Sequence, residues 1–241
     1  MTDAHAHTGT GEETRIRIDK GVRTMLCGTD PASAAEVLRL AGRSHLFTPC
    51  CALHPWKAAA HKPEDMLPYL ELCPVVGETG LDSVWCNTPM CAQMDAFLWN
   101  LDYAERTRRP VVLHTKGQER VIARMLRDYS VPKVVHWYSC EEPPYDYLDQ
   151  DCYFTIGPDV QAHDDVRSLI ALVPFSRLLV ETDGLEAVSW ALGKRVRAVE
   201  LPDVLRASLN LIAAERRITP DEAEAMVDKN YDMLLASIPC E

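Results

Sequence analysis

The chain has 241 residues, 47% of them hydrophobic, and a formal charge of −11. That composition fills a substantial core, but no run approaches the roughly 18 uninterrupted apolar residues of a membrane span, and the polar N-terminus is unlike a secretory leader. A cytoplasmic protein with no membrane and no evident obligate protein partner is expected, and the acidity argues against a broad electropositive track for duplex nucleic acid.

In chain order, short apolar runs alternate with helix-like segments, the pattern of parallel strands joined by crossover helices. Residues 2–7 read as a first strand containing Asp3-Ala4-His5-Ala6-His7, whose period of two puts both imidazoles on one face. Strands at 22–27 and 46–52 flank a helix at 31–42, opened by Asp30 as cap and Pro31 in the first turn. The fourth strand, 74–78, leads into a helix at 89–107 with Met90, Met94, Phe97, Leu98 and Leu101 at helical spacing. Strands at 110–114, 133–136, 152–156 and 177–181 bring the number to eight. Helices at 198–216, striped by Leu201, Leu205, Leu209 and Ile212, and at 220–236, begun by Thr219-Pro220-Asp221-Glu222, follow them. With no repeat, low-complexity tract or Gly/Ser linker, one α/β domain over 1–241, a (β/α)8 TIM-type barrel, is predicted.

Nine cysteines, Cys27, Cys50, Cys51, Cys73, Cys86, Cys91, Cys140, Cys152 and Cys240, are scattered without a Cys-x-x-Cys. Reduced thiols, several within apolar runs, are expected rather than disulfides or a zinc knuckle.

A barrel of this kind gathers its chemistry at the C-terminal ends of its strands. There the sequence places His5 and His7 at the end of strand one, Glu78 ending strand four, His114 ending strand five, His136 ending strand six and Asp183 just after strand eight. A carboxylate between two sets of imidazoles can give one oxygen to each of two divalent cations and hold them roughly 3.5–4 Å apart. Zinc, magnesium and manganese all suit such a mixed nitrogen and oxygen set. Asp3 and Glu181 share strand faces with these residues and would either orient imidazoles or serve ordinary buried hydrogen bonding. Arg120, Arg124 and Arg127 read as a solvated helix face, and Trp56, Trp85 and Trp190, which follow strands three, four and eight, would stack on a planar substrate group or roof the barrel.

Asp3-Ala4-His5-Ala6-His7, Leu53-His54-Pro55, Gly77-Glu78-Thr79-Gly80-Leu81-Asp82, Pro110-Val111-Val112-Leu113-His114, Val134-Val135-His136 and Leu178-Leu179-Val180-Glu181-Thr182-Asp183 resemble, in order, the motifs of the TatD-type metal-dependent deoxyribonucleases, a match that reaches Asn230. The resemblance implies a barrel related to the amidohydrolases and divalent-metal-dependent hydrolysis of phosphodiesters. It also implies that His5, His7 and Asp183 hold one metal, His114 and His136 the other, and Glu78 bridges them. Asp183 is then the candidate general base. His54, after strand three, is a candidate donor to a phosphate or leaving oxygen, and Lys116 a point charge for phosphate. The chain departs from the family where Lys116 replaces the usual Arg, where Gly184-Leu185-Glu186-Ala187-Val188-Ser189-Trp190 replaces a Pro-containing loop, and where Trp137-Tyr138-Ser139-Cys140 replaces a Phe-Thr-Gly-like stretch.

The expected activity is therefore phosphoester hydrolysis by metal-activated water, with single-stranded DNA ends as substrate and 3′-end trimming as its nuclease form. Two alternatives stand beside it: an amidohydrolase-type hydrolase of C–N bonds or lactones, and a catalytically inert metal-binding barrel.

Overall fold

A computed structural model describes residues 1–161 and 163–238, so Cys240 lies outside the described residues. The eight described cysteines are free thiols. Eight parallel strands run in sheet order β1 (Thr2–His7), β2 (Arg23–Gly28), β3 (Phe47–Cys51), β4 (Val75–Asp82), β5 (Val111–Lys116), β6 (Lys133–Val135), β7 (Tyr153–Ile156) and β8 (Leu178–Val180). A parallel bridge between Ala6 and Asp183 brings β8 back to β1. The sheet is thus a barrel.

On the seven connections between successive strands lie α1 (Gly11–Asp19), α2 (Pro31–Ala41), α3 (Leu67–Leu70), α4 (Met90–Thr107), α5 (Glu119–Met125), α6 (Tyr145–Leu148) and α7 (Asp164–Leu172). After β8 come α8 (Leu185–Ala191), α9 (Leu201–Arg216) and α10 (Pro220–Ala236). The helix starts follow the capping chemistry read in the sequence: the Asp30 carboxylate accepts from the Ser33 N–H at 2.9 Å, and Thr219 with Glu222 forms a capping box. Among the described residues no helix is long and apolar enough to cross a membrane.

Apolar side chains form two shells. Ala4, Met25, Cys27, Cys50, Val75, Val112, Val134, Tyr153 and Leu179, drawn from all eight strands, fill the barrel, and Tyr231 and Leu234 of α10 pack against them. Alternate strand residues such as Leu26, Val76, Leu113, Val135 and Val180 face the helices, where they meet Val37, Phe97, Leu101 and Leu209. Asn230 ties α10 to the barrel by donating to the carbonyls of Phe175 and Leu178 at 2.7 and 2.9 Å.

Two breaks in the strand alternation decide where the polar residues point. Val76 pairs with Val111 but Thr79 with Leu113, so β4 holds one more residue than β5 across that interval. The same happens in β1, where Asp3 pairs with Thr24 and Ala6 with Leu26. An extra residue turns the following side chain to the other face of the sheet. Val75 and Glu78, three apart, both reach the interior, as do Ala4 and His5.

The strands predicted at 2–7 and helix at 220–236 match their observed spans, and other ends shift by a few residues. One difference matters to the site. Glu78 does not end strand four; it sits in the middle of β4, because pairing to β5 resumes beyond the irregularity and runs on to Asp82. Gly80 permits that close pairing, since a Cβ there would run into the backbone carbonyl of His114.

Candidate metal centre

Glu78 is buried, and its two carboxylate oxygens serve two separate sets of side chains. Oε2 lies 3.5 Å from Nε2 of His5 and 3.5 Å from Nε2 of His7. Both nitrogens are also 3.4 Å from Oδ1 of Asp183. On the other side, Oε1 lies 2.7 Å from Nδ1 of His114, 3.2 Å from Nε2 of His136 and 3.4 Å from Nε2 of His54. All six residues singled out as metal ligands are thus gathered around one carboxylate.

His5, His7 and Asp183 bring ligand atoms within 4.8 Å of one another and could hold a cation. Donors about 2.1 Å from a tetrahedrally ligated ion stand about 3.4 Å apart, close to the separations just given. Buried Nε2 of His5 and Oδ1 of Asp183 have no hydrogen-bond partner, as expected of atoms whose partner is an ion. Asp183 reaches this place with its backbone at φ +58°, a left-handed conformation that aspartate tolerates better than most residues, while its N–H donates to the His5 carbonyl at 3.0 Å. The second set is drawn tighter, with the 2.7 Å contact between His114 and Glu78 a hydrogen bond.

The outward nitrogens reveal which tautomer each ring holds. Nδ1 of His5 faces the Cys27 thiol at 3.2 Å, and Nδ1 of His7 faces the Cys27 carbonyl at 3.2 Å. Nδ1 of His136 faces the Glu181 carboxylate at 3.1 Å. Each of these groups can accept the ring's N–H, so that in the neutral ring Nε2 is the inward lone pair. His114 is reversed: Nε2 faces Asp82 at 3.0 Å and Nδ1 points inward. His54 differs from all four. Its Nδ1 accepts the Trp56 N–H at 3.2 Å, so in the neutral ring Nε2 carries the hydrogen and points it at Glu78.

Charge follows the same division. Burial pushes His54 down to about 4, outweighing nearby Glu78, so this ring is neutral. Burial also opposes charge on His136, but Glu181 and Glu78 prevail and hold it well above its ordinary value. Asp82 and Glu78 do the same for His114. His5 is likewise held high against burial by Cys27, Glu78 and Asp183. Glu78 itself is held well below the usual carboxylate range, its own burial overcome by His54, His136, His5 and the bond to His114.

The remaining sequence candidates fall as follows. Glu181 orients His136, but Asp3 touches no imidazole: it binds Arg17 and accepts from the Thr182 N–H at 2.9 Å, stitching β1 to the end of β8. Carboxylate and imidazole share a strand yet point apart, because of the extra residue in β1. Lys116 is the last residue of β5, with Nζ 2.8 Å from Ser139 Oγ and 4.5 Å from the Trp85 ring centroid. Arg120 and Arg127 are exposed and pair with Glu142 and Asp146.

Sequence reasoning missed Asp82, Gln93 and Cys27. Asp82 accepts from His114 and from the Trp56 indole at 2.6 Å, while Gln93 accepts its N–H at 2.8 Å. The tract in which Asp82 lies was a visible signal. Cys27 had none, since in a strand of apolar residues it reads as core.

The sequence model described as TatD related DNase matches residues 2–236. An uncharacterized metal-dependent hydrolase TatD of Mycobacterium tuberculosis is 28% identical over 209 residues, covering 76% of this chain and 79% of that protein. An uncharacterized metal-dependent hydrolase YcfH of Escherichia coli K12 is 28% identical over 114 residues, covering 45% and 43%. Among solved structures, the Escherichia coli TatD homolog YJJV superposes with a TM-score of 0.83 at 23% identity, covering 97% of each chain. A TatD family hydrolase of Entamoeba histolytica gives 0.73 at 11% identity, covering 96% of this chain and 97% of its own.

Proposed function

We propose, from the premise that this chain belongs to the TatD related DNase family and is a metal-dependent hydrolase, that it cleaves phosphoester bonds at a two-cation centre. His5, His7 and Asp183 would hold one cation, His114 and His136 the other, and Glu78 both. The observation that carries this reading is the division of Glu78, with one oxygen 3.5 Å from two imidazole nitrogens and the other within 3.2 Å of two more. A pair of bound divalent ions supplies Lewis acidity toward a phosphoryl oxygen and makes hydroxide available near neutrality.

The protein's own residues then divide the work. Asp183, held below the ordinary carboxylate range despite its burial by the nearby imidazoles of His5, His7 and His136, is an anion ready to take the proton of the attacking water. His54 presents Nε2–H and stays neutral, so it serves as donor to a phosphoryl or leaving oxygen rather than as a ligand. Lys116 makes no ion pair among the described residues, which leaves its charge free for a phosphate at the mouth. Glu181 and Asp82 fix the rings of His136 and His114.

The experiment is hydrolysis of bis(p-nitrophenyl) phosphate, single-stranded oligonucleotides and cyclic amides by protein loaded in turn with zinc, manganese and magnesium, beside the Glu78→Ala variant. Phosphodiester turnover lost in folded Glu78→Ala supports the reading. Turnover of the amides alone would shift the assignment to an amidohydrolase, and two bound ions with no turnover of any substrate would make the barrel an inert metal binder.

A further inference from the structure

Four of the five tryptophans crowd one opening. Trp56, Trp85 and Trp190 are 47%, 49% and 67% exposed, unusual for the largest apolar side chain. They do not lie singly. The Trp85 and Trp190 ring centroids are 5.9 Å apart at 77°, and Trp190 stands 6.3 Å from Trp137 at 66°. Trp85 is in turn 6.4 Å from His114, and Trp137 is 6.4 Å from His136. The indoles therefore form an arc directly over the candidate metal centre.

The arc is built, not loose. Trp137 holds φ +39°, rare for a bulky residue; its N–H donates to Thr155 Oγ1 at 3.0 Å, and its ring lies so close over Gly157 that a Cβ there would stand 2.8 Å from it. Trp85 carries the Lys116 ammonium 4.5 Å from its ring centre, which fixes a positive charge beside the indoles. A second polar group waits at the same wall. Asp159, two residues beyond the Gly157 that Trp137 covers, is 7% exposed and has a buried Oδ1 with no partner.

A bare phosphate needs none of this apolar surface, and a duplex keeps the faces of its bases covered. A flat ring free on both faces and one ester link from a phosphate matches indole, ammonium and carboxylate together. Stacking also meets a constraint set by the whole chain, because at −11 it has little positive charge with which to grip a backbone. Resting on the phosphoesterase reading, we propose that Trp85, Trp137 and Trp190 form a stacking subsite for the base of an unpaired nucleotide, with Lys116 at its phosphate and Asp159 accepting from an amino group on the ring.

The test measures binding without turnover: fluorescence anisotropy of a labelled single strand of about eight nucleotides with full-length protein in chelator. Two further arms are the same strand abasic at its 3′-terminal units, which keeps sugar and phosphate and loses only the ring, and a blunt duplex. Base–aromatic stacking of this kind predicts binding at least about tenfold weaker for the abasic strand and the duplex. Trp190→Ala should erase the preference for the base-bearing strand and Trp190→Phe should restore it; Trp190 is exposed enough that neither should unfold the barrel. Equal binding of base-bearing and abasic strands, or an undiminished preference in Trp190→Ala, would overturn the subsite. Should the preference appear while no metal restores phosphodiester cleavage, the subsite stands and the phosphoesterase reading fails; cleavage with no preference gives the reverse.

Discussion

Cys27 holds both members of the His5 and His7 pair, its thiol 3.2 Å from Nδ1 of His5 and its carbonyl 3.2 Å from Nδ1 of His7. On the far side of Glu78 the outward nitrogens meet carboxylates, Glu181 behind His136 and Asp82 behind His114. The two halves of the site are thus backed by different chemistry, neutral in one and anionic in the other. Groups behind a ligating imidazole typically account for 10–100-fold in metal affinity. Cys27→Val, which fills the space and keeps the carbonyl that faces His7 but removes the sulfur acceptor, should lower the affinity of the His5 side about tenfold. Calorimetric metal titration checks this, and an unchanged isotherm would contradict it.

Metal binding should release protons. His5, His114 and His136 are all raised above the ordinary imidazole value, so without metal they stay protonated to higher pH than a free histidine. A cation must displace those protons, and its affinity should therefore rise as pH climbs past the ordinary imidazole value of about 6.5. Titration in two buffers of different ionisation enthalpy reads the proton count. Net uptake of protons, or an affinity flat across that climb in pH, would be inconsistent with the geometry.

His54 separates a donor from a ligand. With Nδ1 occupied by the Trp56 N–H, His54→Gln should leave metal content intact while lowering kcat by about 10²–10⁴. Elemental analysis and steady-state kinetics on the same sample decide it. Loss of one ion per chain would make His54 a ligand.

Hydrolysis of a single strand should depend only weakly on salt. Lys116 brings one cation to the rim of a chain whose net charge is −11, so few neutralised phosphates and few released counterions are expected. A log–log slope near −1 or shallower is expected from rates at subsaturating substrate. A steep slope would imply a basic track, against the expectation from a net charge of −11.

Away from the site, Asp30→Ala removes the cap of α2 and should cost about 1 kcal/mol in urea unfolding. Partial burial opposes ionisation of Asp30, but bonds from Ser33 and Lys57 prevail and hold its carboxyl below the ordinary value. A depressed folded value gives stability that is present above the unfolded pKa of about 3.9 and lost as pH falls through the folded one. The gap between wild type and variant should accordingly narrow in acid; a gap that widened would mean the cap works by some other route.

Much of this was legible because strand alternation and ligand chemistry leave marks in sequence. Eight apolar runs pointed to the barrel, and the six His, Glu and Asp residues placed beside them are the ones that meet around Glu78. Alternation alone, however, sends Glu78 to the opposite face from Val75; only the extra residue in β4 turns it inward, and a backbone irregularity carries no side-chain signature. Cys27 was hidden for a related reason, since its role depends on the register of β2 against β1. Trp137 was passed over because an aromatic beside a strand end looks like packing until its neighbours Trp190 and Gly157 are placed around it.

The most direct test of the central claim is an anomalous difference map from crystals of the protein grown with manganese. Two peaks on opposite sides of Glu78, one beside His5, His7 and Asp183 and the other beside His114 and His136, are predicted. A map with no peak within bonding distance of the Glu78 carboxylate would contradict the account.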